Sequence, residues 1–277
     1  MGGGPSKERD VVTLTESPSS EGENFSETLR TNLKRLFLYA SSHDVAVQRE
    51  VAERLANEAV LQHRQEQIVK LGGLTLLVPL AQSPDIEVQR LATHALANLS
   101  ALASNQLAIA EVPGGLEEVL FALLASSNAE VQRQSAKTVA NISVVPATMK
   151  AIAARGGLPP LLAMLTSPHP RTRVEAIAAV ANLAVDDENE RALVKGEAFQ
   201  KLLSTLGEGV FQPPSDTDTA VQVARALRNL TALPEHAALL LGLGGREAIG
   251  CLMKMGNDRV SQQCGICVEH FDKAGKT

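Results

Sequence analysis

The chain of 277 residues contains no tryptophan and only one tyrosine, and aromatic residues make up 3% of it. Its apolar residues are therefore mostly alanine, leucine and valine, which favour helices that pack closely through small side chains. Because 44% of the residues are hydrophobic, a chain of this length can bury a large core.

Cysteine is also scarce, with three residues that all lie near the C-terminus: Cys251, Cys264 and Cys267. An odd, clustered set is a poor disulfide framework and favours a reducing compartment. The N-terminus lacks the apolar segment of a secretory signal. No run of about 18 apolar residues is free of charge and proline, so we expect no membrane-spanning helix. Together these absences predict a cytoplasmic protein.

The charge balance is acidic, with 26 basic and 31 acidic residues and a formal net charge of −5. This balance argues against a dedicated nucleic-acid binder, and we expect no nucleic-acid partner. The histidines show no His-Glu-x-x-His spacing, and no Gly-x-Ser-x-Gly motif is present. We therefore expect no catalytic residues, no cofactor and no metal site.

One asparagine recurs at a nearly constant interval along the chain. It is found at Asn57, Asn98, Asn141, Asn182 and Asn229, with intervals of 41, 43, 41 and 47 residues. Its surroundings recur too, as in "VQRLATHALANLS" (88–100) and "VQRQSAKTVANIS" (131–143). A further 41 residues lead to His270, in a degenerate last copy. A period of about 42 residues is typical of helical solenoids.

Paired glycines keep the same period. They are Gly72-Gly73, Gly114-Gly115, Gly156-Gly157 and Gly244-Gly245, and Gly196 marks the fourth copy with one glycine missing. Glycine fits this position because a helix end often needs a left-handed residue, which is costly for a residue with a side chain. Two markers with one period indicate an internal repeat.

Each period contains three predicted helices. Residues 105–112 form a short helix, residues 116–125 a second, and residues 129–143 a longer third helix with apolar residues at helical spacing. The turns "SPD" (83–85) and "SSN" (126–128) precede third helices and supply oxygens that cap their N-termini. Three helices per period indicate an all-α repeat protein and separate it from the two-helix repeats of similar length.

This pattern resembles the armadillo repeat. The best matching segments are "GGLTLLVPLAQSPDIEVQRLATHALANLS" and "GGLPPLLAMLTSPHPRTRVEAIAAVANLA". The resemblance implies a right-handed α-solenoid over residues 26–272, with five to six repeats of which the first and last are incomplete. We expect a disordered tail at residues 1–25 and a short C-terminal tail at residues 273–277. The resemblance to the armadillo repeat also implies a non-enzymatic scaffold that binds a partner segment in a concave groove formed by the third helices.

The resemblance gives the recurring asparagine a role. In the family, third-helix asparagines form a ladder that bonds the main chain of an extended peptide, and an amide suits this because it both donates and accepts. The ladder candidates are Asn98, Asn141, Asn182 and Asn229, together with Asn57. A second interpretation, which does not exclude the first, is that these residues bond backbone groups near a helix end.

Other positions share the helical face of the asparagines. Four residues earlier lie Glu53, His94, Lys137, Ala178 and Arg225, and eight residues earlier lie Arg49, Arg90, Arg133, Val174 and Val221. Importin-α-like repeats carry tryptophan at the nearer position, and this chain has none. We expect His94, Lys137, Arg90, Arg133 and Arg225 to line the groove and to suit an extended or helical acidic segment of a partner protein. The alternative is that these are ordinary solvated side chains.

The first residues, "MGGGPS", fit the acceptor pattern for N-myristoylation at Gly2. An acylated chain would bind peripherally to an organelle membrane and would act there as an adaptor that recruits partners. One myristoyl group gives only marginal membrane binding. The alternative is an unmodified, glycine-rich N-terminus.

Two further motifs could indicate a chemical function but also have a purely structural interpretation. Cys264 and Cys267 have the spacing of redox and zinc sites, with His270 as a third ligand, but they fall where other repeats need small core residues. The acidic run "DDENE" (186–190) opens the first helix of a repeat, and we expect a solvated face that complements the helix dipole.

Overall fold

The computed structural model describes residues 44–206 and 217–275, together with Thr31 and Arg35. All regular elements in this part of the chain are helical, as the sequence predicts. In chain order the helices are α1 (Val45–Val60), α2 (Gln62–Lys70), α3 (Gly73–Ala81), α4 (Ile86–Leu99), α5 (Ala103–Glu111), α6 (Gly115–Phe121, wound as a π-helix), α7 (Ala129–Ile142), α8 (Pro146–Ala154), α9 (Leu158–Met164), α10 (Pro170–Leu183), α11 (Asp187–Lys195), α12 (Ala198–Ser204), α13 (Thr217–Leu230), α14 (Pro234–Gly242), α15 (Gly245–Met253) and α16 (Asp258–Ala274).

Helix α1 corresponds to the third helix of a partial N-terminal repeat, and five three-helix units follow it, which we number as the first to fifth repeats. Each unit has two short helices and a longer third one, so the third helices are α1, α4, α7, α10, α13 and α16. The last unit contains all three helices, although the sequence suggested an incomplete copy, and only its asparagine is replaced, by His270. The proposed tail at residues 1–25, Gly2 and the rest of the partial N-terminal repeat, apart from Thr31 and Arg35, lie outside the described residues.

Side-chain caps start the third helices where the turns predict them. Asp85 Oδ1 accepts hydrogen bonds from the main-chain N–H groups of Glu87 (3.2 Å) and Val88 (3.0 Å). Asn128 caps α7 in the same way, and Asn257 caps α16. These caps satisfy amide groups that have no partner within the helix, so they fix the start of each third helix.

A left-handed residue separates the first and second helices of each unit. Glycine occupies it at Gly72, Gly114, Gly156 and Gly244, with φ between 72° and 87°. In the fourth unit the left-handed residue is Glu197, with φ 67°, so the expectation for Gly196 was wrong. Gly196 instead packs against the third unit, where a Cβ atom on this residue would lie 2.5 Å from Leu162 Cδ1 and would require that side chain to move. Its absent side chain lets the fourth unit approach the third.

The third helices pack side by side in chain order and form one continuous layer. Small residues recur where neighbouring helices approach, and Ala92, Ser135 and Ala176 are all fully buried. The Ser135 hydroxyl donates to the carbonyl of Leu120 at 2.6 Å, which satisfies this polar group inside the core. The outer surface of this layer carries the residues singled out from the sequence.

Candidate functional site

The asparagine positions and the positions four and eight residues before them lie on the side of the third helices that faces solvent. We call this surface the third-helix face. Its residues in the four central third helices are Arg90, His94 and Asn98 of α4, Arg133, Lys137 and Asn141 of α7, Val174, Ala178 and Asn182 of α10, and Val221, Arg225 and Asn229 of α13. All of them are half-buried except Asn229, which is buried, so the face lies over the core without being part of it.

The amide nitrogens of the central asparagines bond the preceding repeat. Asn182 Nδ2 donates to the Ala140 carbonyl at 2.8 Å and lies 3.2 Å from Ser143 Oγ. One repeat earlier, Asn141 Nδ2 donates to Ser100 Oγ at 3.0 Å. Asn182 therefore bonds a backbone group near a helix end, as expected if these asparagines have a structural role. That helix, however, belongs to the preceding repeat and not to its own.

The serine hydroxyls fix which way these amides point. Ser100 Oγ donates to the Ala97 carbonyl and Ser143 Oγ to the Ala140 carbonyl, each at 2.8 Å. Each hydroxyl has one hydrogen, so it can only accept from the asparagine, whose nitrogen must face the protein. Within residues 44–206 and 217–275, no group bonds Oδ1 of Asn141 or Asn182. Each of these two asparagines therefore offers an acceptor oxygen.

The ladder changes at its N-terminal end. Asn57 is exposed on α1. Ala59 stands where the next two repeats carry Ser100 and Ser143, so Asn98 has no hydroxyl to bond in the preceding repeat. Its Nδ2 lies 3.4 Å from His94 Nε2. Burial lowers the pKa of His94, and this favours the neutral ring at pH 7.

The C-terminal asparagine uses both ends of its amide within the protein. Asn229 Nδ2 donates to the Ala181 carbonyl at 2.6 Å. Its Oδ1 accepts from Nε (2.9 Å) and Nη2 (2.6 Å) of Arg228. Asn229 therefore offers no oxygen to a partner. In the next repeat the pattern continues with histidine, since His270 Nδ1 lies 3.1 Å from Thr231 Oγ1.

The arginines of α4 and α7 are already paired with carboxylates. Arg90 donates to Glu87 through two bonds of 2.8 and 2.6 Å. Arg133 does the same to Glu130, at 2.9 and 2.6 Å. These bonds lower the pKa of both glutamates. The first half of the third-helix face is therefore not a free row of cations.

A third carboxylate completes the charge balance of this half. Glu175 of α10 lies 4.0 Å from Arg133. Burial raises the pKa of Glu175, while the positive charges of Lys137 and Arg133 act in the opposite direction. Two arginines and one lysine thus face three glutamates, which leaves no net charge on this half of the face.

The cations of α13 differ because they have no carboxylate partner in the described part of the chain. Arg225 Nη2 donates to the Ala178 carbonyl of the preceding repeat at 3.1 Å. Burial lowers the pKa of Arg225, and the like charge of Arg228 lowers it further. The second half of the face is therefore positively charged.

Glu190 contradicts the expectation of a solvated acidic run. It is only 1% exposed, and its Oε1 accepts from His236 Nδ1 (2.7 Å) and from the Leu233 amide (3.1 Å). Asp186, in contrast, caps α11 as an acidic residue at a helix start should. The sequence contains one hint of this burial, because Glu190 is three residues before the buried Leu193 and shares its helical face.

Cys264 and Cys267 are core residues. Both are fully buried, and burial raises the pKa of Cys264 to about 12 and that of Cys267 to about 11. Such thiols are poor nucleophiles because the reactive thiolate is suppressed. In the described part of the chain, no group of three or more histidine, cysteine or acidic side chains is placed to hold a metal ion.

Comparison with known proteins identifies the class of the fold. The sequence model of the Armadillo-like family matches residues 30–212. The chain belongs to this family, and the prediction of an armadillo solenoid is confirmed. No curated protein sequence matches the chain. Of the helices described, none has the length and apolarity to cross a bilayer.

Engineered proteins are among the solved structures with a similar fold. One, a crystal structure from the Northeast Structural Genomics Consortium, is 31% identical with a TM-score of 0.78 and covers 88% of this chain and 97% of its own. A computationally designed armadillo repeat protein for modular peptide recognition is 23% identical, with a TM-score of 0.77 and coverage of 86% and 99%. A third, designed armadillo protein YIII(Dq.V1)4CPAF in complex with the peptide (KR)4, is 22% identical, with a TM-score of 0.75 and coverage of 86% and 99%.

Proposed function

We propose that this chain is a non-enzymatic scaffold that holds an extended segment of a partner protein along its third-helix face. The observation that carries the proposal is the pair of acceptor oxygens on Asn141 and Asn182, held outward because their nitrogens are bonded to the preceding repeat. A main-chain N–H group is present in nearly every residue of a partner, so these oxygens bind a backbone independently of its side chains.

The spacing of the helices supports an extended partner. Packed helices lie roughly 8–10 Å apart, and an extended chain rises roughly 3.3 Å per residue. Successive asparagines would therefore meet N–H groups two or three residues apart. The amides are pre-positioned by bonds within the protein, so binding costs less side-chain entropy than it would with free rotamers.

Two similar proteins support the same use of the fold. One is described as designed for modular peptide recognition, and another was solved with a bound (KR)4 peptide. Their identity to this chain is below 25%, so they support the architecture and leave the partner's sequence open. The charges of α13 favour an acidic partner segment here.

The tail motif supports a second candidate function. If Gly2 is acylated, the scaffold would act as a cytoplasmic adaptor that is peripherally bound to a membrane. Intact mass spectrometry of the protein from its native cell tests this directly. A myristoylated N-terminus supports the adaptor, and an unmodified one rules it out.

A peptide selection tests the scaffold function. A displayed library of random octapeptides would be selected on the folded chain, and a selected peptide titrated by fluorescence anisotropy. We expect the double variant Asn141→Ala/Asn182→Ala to bind roughly tenfold more weakly or worse, since each lost hydrogen bond contributes on the order of 1 kcal/mol.

The matched control separates binding from structure. Ser100→Ala/Ser143→Ala removes the hydroxyl partners of the same asparagines but keeps their oxygens. In this variant Asn141 loses the bond that orients it, whereas Asn182 keeps its bond to the Ala140 carbonyl. We therefore expect a loss of stability, and a loss of peptide affinity that is smaller than in Asn141→Ala/Asn182→Ala. If a folded asparagine double variant bound the peptide as tightly as the wild type, the third-helix face would not be the binding site.

A further inference from the structure

The fourth repeat departs from the ladder at the position where it should continue. Asn229 is the most buried of the ladder asparagines, at 9% exposure, and both ends of its amide are bonded within the protein. Its oxygen does not face a partner but holds the Arg228 guanidinium through Nε and Nη2. In this repeat the group presented to a partner is therefore a cation instead of an amide.

The guanidinium of Arg228 keeps free donors after this bond. Arginine has five N–H donors in a planar fork, and the bonds to Asn229 use one on Nε and one on Nη2. The two hydrogens of Nη1 and the second of Nη2 remain. They form the end of the fork, an arrangement that matches the two oxygens of a carboxylate.

A second guanidinium lies one turn away on the same helix. Arg225 and Arg228 are three residues apart on α13, so they are neighbours on its surface. Arg225 Nε is buried and has no partner among the described residues. In the described part of the chain neither arginine forms an ion pair, whereas Arg90 and Arg133 each hold a glutamate.

An open cleft adjoins Arg228. It has a volume of about 290 Å³ and is lined by the C-terminal ends of the third helices of the third, fourth and fifth repeats. Its apolar walls, beside Arg228 and His270, are Ala184, Val185, Ala232 and Ile266. Val185 is 61% exposed, so this wall is open to a ligand. The volume is at the lower limit of the roughly 300–1,000 Å³ of small-molecule sites, and it suits side chains of a peptide better than a cofactor.

We propose that this cleft is a carboxylate-binding subsite that receives a glutamate or aspartate side chain of the partner segment, with an apolar neighbour against Val185 and Ile266. The carboxylate accepts from the free fork of Arg228, and Arg225 adds its positive charge. Asn229 is a positioning residue that orients Arg228. The proposal rests on the proposed peptide-binding function and specifies the chemistry of the partner at one end of the face.

The test uses fluorescein-labelled octapeptides of alternating sequence, (Glu-Leu)4, (Gln-Leu)4 and (Lys-Leu)4, titrated into the whole chain. We expect (Glu-Leu)4 to bind about tenfold more tightly than (Gln-Leu)4, as a charge-assisted pair is about twice as strong as a neutral one. The lysine peptide should bind most weakly.

Variants of equal charge locate the effect. Arg225→Gln/Arg228→Gln should remove the preference for glutamate over glutamine. Arg155→Gln/Arg246→Gln removes two positive charges at exposed residues outside the third helices and should preserve the preference. Because Arg225 bonds the preceding repeat, the double variant could lose affinity through lost stability. The single variant Arg228→Gln avoids this problem. It should lose most of the preference while keeping the melting temperature within a few degrees.

Each outcome is informative. If glutamate and glutamine peptides bind equally and both lose affinity in Asn141→Ala/Asn182→Ala, the scaffold function stands and the carboxylate subsite is wrong. If the control variant loses the preference as fully as the α13 variant, overall charge is responsible and the subsite is again wrong. If none of the three peptides binds, the carboxylate subsite is wrong, and the scaffold function is decided separately by the peptide selection.

Discussion

The amide nitrogen of Asn182 donates to the carbonyl of Ala140 at 2.8 Å, and these two residues belong to successive repeats. The same amide carries an oxygen that no described group of the chain bonds. One side chain therefore joins two repeats and keeps an acceptor oxygen that the proposed partner segment would use. This double role makes separate predictions for stability and for binding.

The first prediction concerns the structural half of that role. Asn182→Ala should lower the free energy of unfolding by about 0.5–1.5 kcal/mol, because one hydrogen bond to Ala140 is lost. Asn182→Asp should cost more, because it places a carboxylate oxygen against the Ala140 carbonyl. Urea denaturation followed by circular dichroism measures both. Equal stability of the wild type and the aspartate variant would contradict the cross-repeat bond.

The second prediction concerns the buried acid. Glu190→Ala should destabilise the protein by about 1–3 kcal/mol, because the Leu233 amide and His236 would lose their acceptor in the interior. Glu188→Ala is the matched control, since Glu188 is exposed on the same helix, and it should change stability by less than about 0.5 kcal/mol. Thermal melts compare the two. If they cost the same, Glu190 does not join the fourth and fifth repeats.

The third prediction concerns the left-handed residue of the fourth repeat. Glu197→Gly should raise the free energy of unfolding by about 0.5–1 kcal/mol. A left-handed conformation costs a residue with a Cβ about 1–2 kcal/mol. Glycine avoids this cost, but it loses more backbone entropy on folding, so the net gain is smaller. Gly196→Ala should not stabilise in this way, because Gly196 has a φ of −83° and an added Cβ would require Leu162 to move. Chemical denaturation of both variants is the measurement. If Glu197→Gly left the stability unchanged or lowered it, the left-handed conformation of Glu197 would be contradicted.

The fourth prediction compares the core with the surface. Leu96 is 2% exposed, and Leu96→Ala should cost about 2–5 kcal/mol, because the deletion leaves a cavity between α4 and its neighbours. Leu107 is 42% exposed, and Leu107→Ala should cost less than about 0.5 kcal/mol. Asn141→Ala should also cost much less than Leu96→Ala while weakening peptide binding. A similar loss of stability in all three variants would contradict the assignment of Leu96 to the core and of Leu107 and Asn141 to the surface.

The sequence alone was enough to predict three helices in one repeat, although the second, expected at residues 116–125, is wound as a π-helix at Gly115–Phe121. The asparagine period and the Ser/Asn/Asp turns placed α7 at residues 129–143, and the structure has it at Ala129–Ile142. This worked because capping and hydrophobic spacing are local signals. The burial of Cys264 and Cys267 also followed from register, since other repeats need small residues at those positions.

The site was predicted less completely, because its contacts cross between repeats. Nothing local shows that Asn182 reaches Ala140, or that Asn229 uses its oxygen on Arg228. Glu190 was misjudged because its partners, Leu233 and His236, lie more than forty residues away. The pairing of Arg90 with Glu87 is different, since a spacing of three residues on a helix is a local signal that indicates an ion pair.

The most direct measurement of the central claim is an N-methyl scan of a peptide selected on the third-helix face. Each main-chain N–H of the peptide would be replaced in turn by N–CH₃, and the affinity of each analogue measured by anisotropy. If Asn141 and Asn182 accept from the peptide backbone, affinity should fall sharply at two positions, two or three residues apart. Those losses should disappear in Asn141→Ala/Asn182→Ala. An even response along the peptide, or a pattern unchanged by the double variant, would contradict the account.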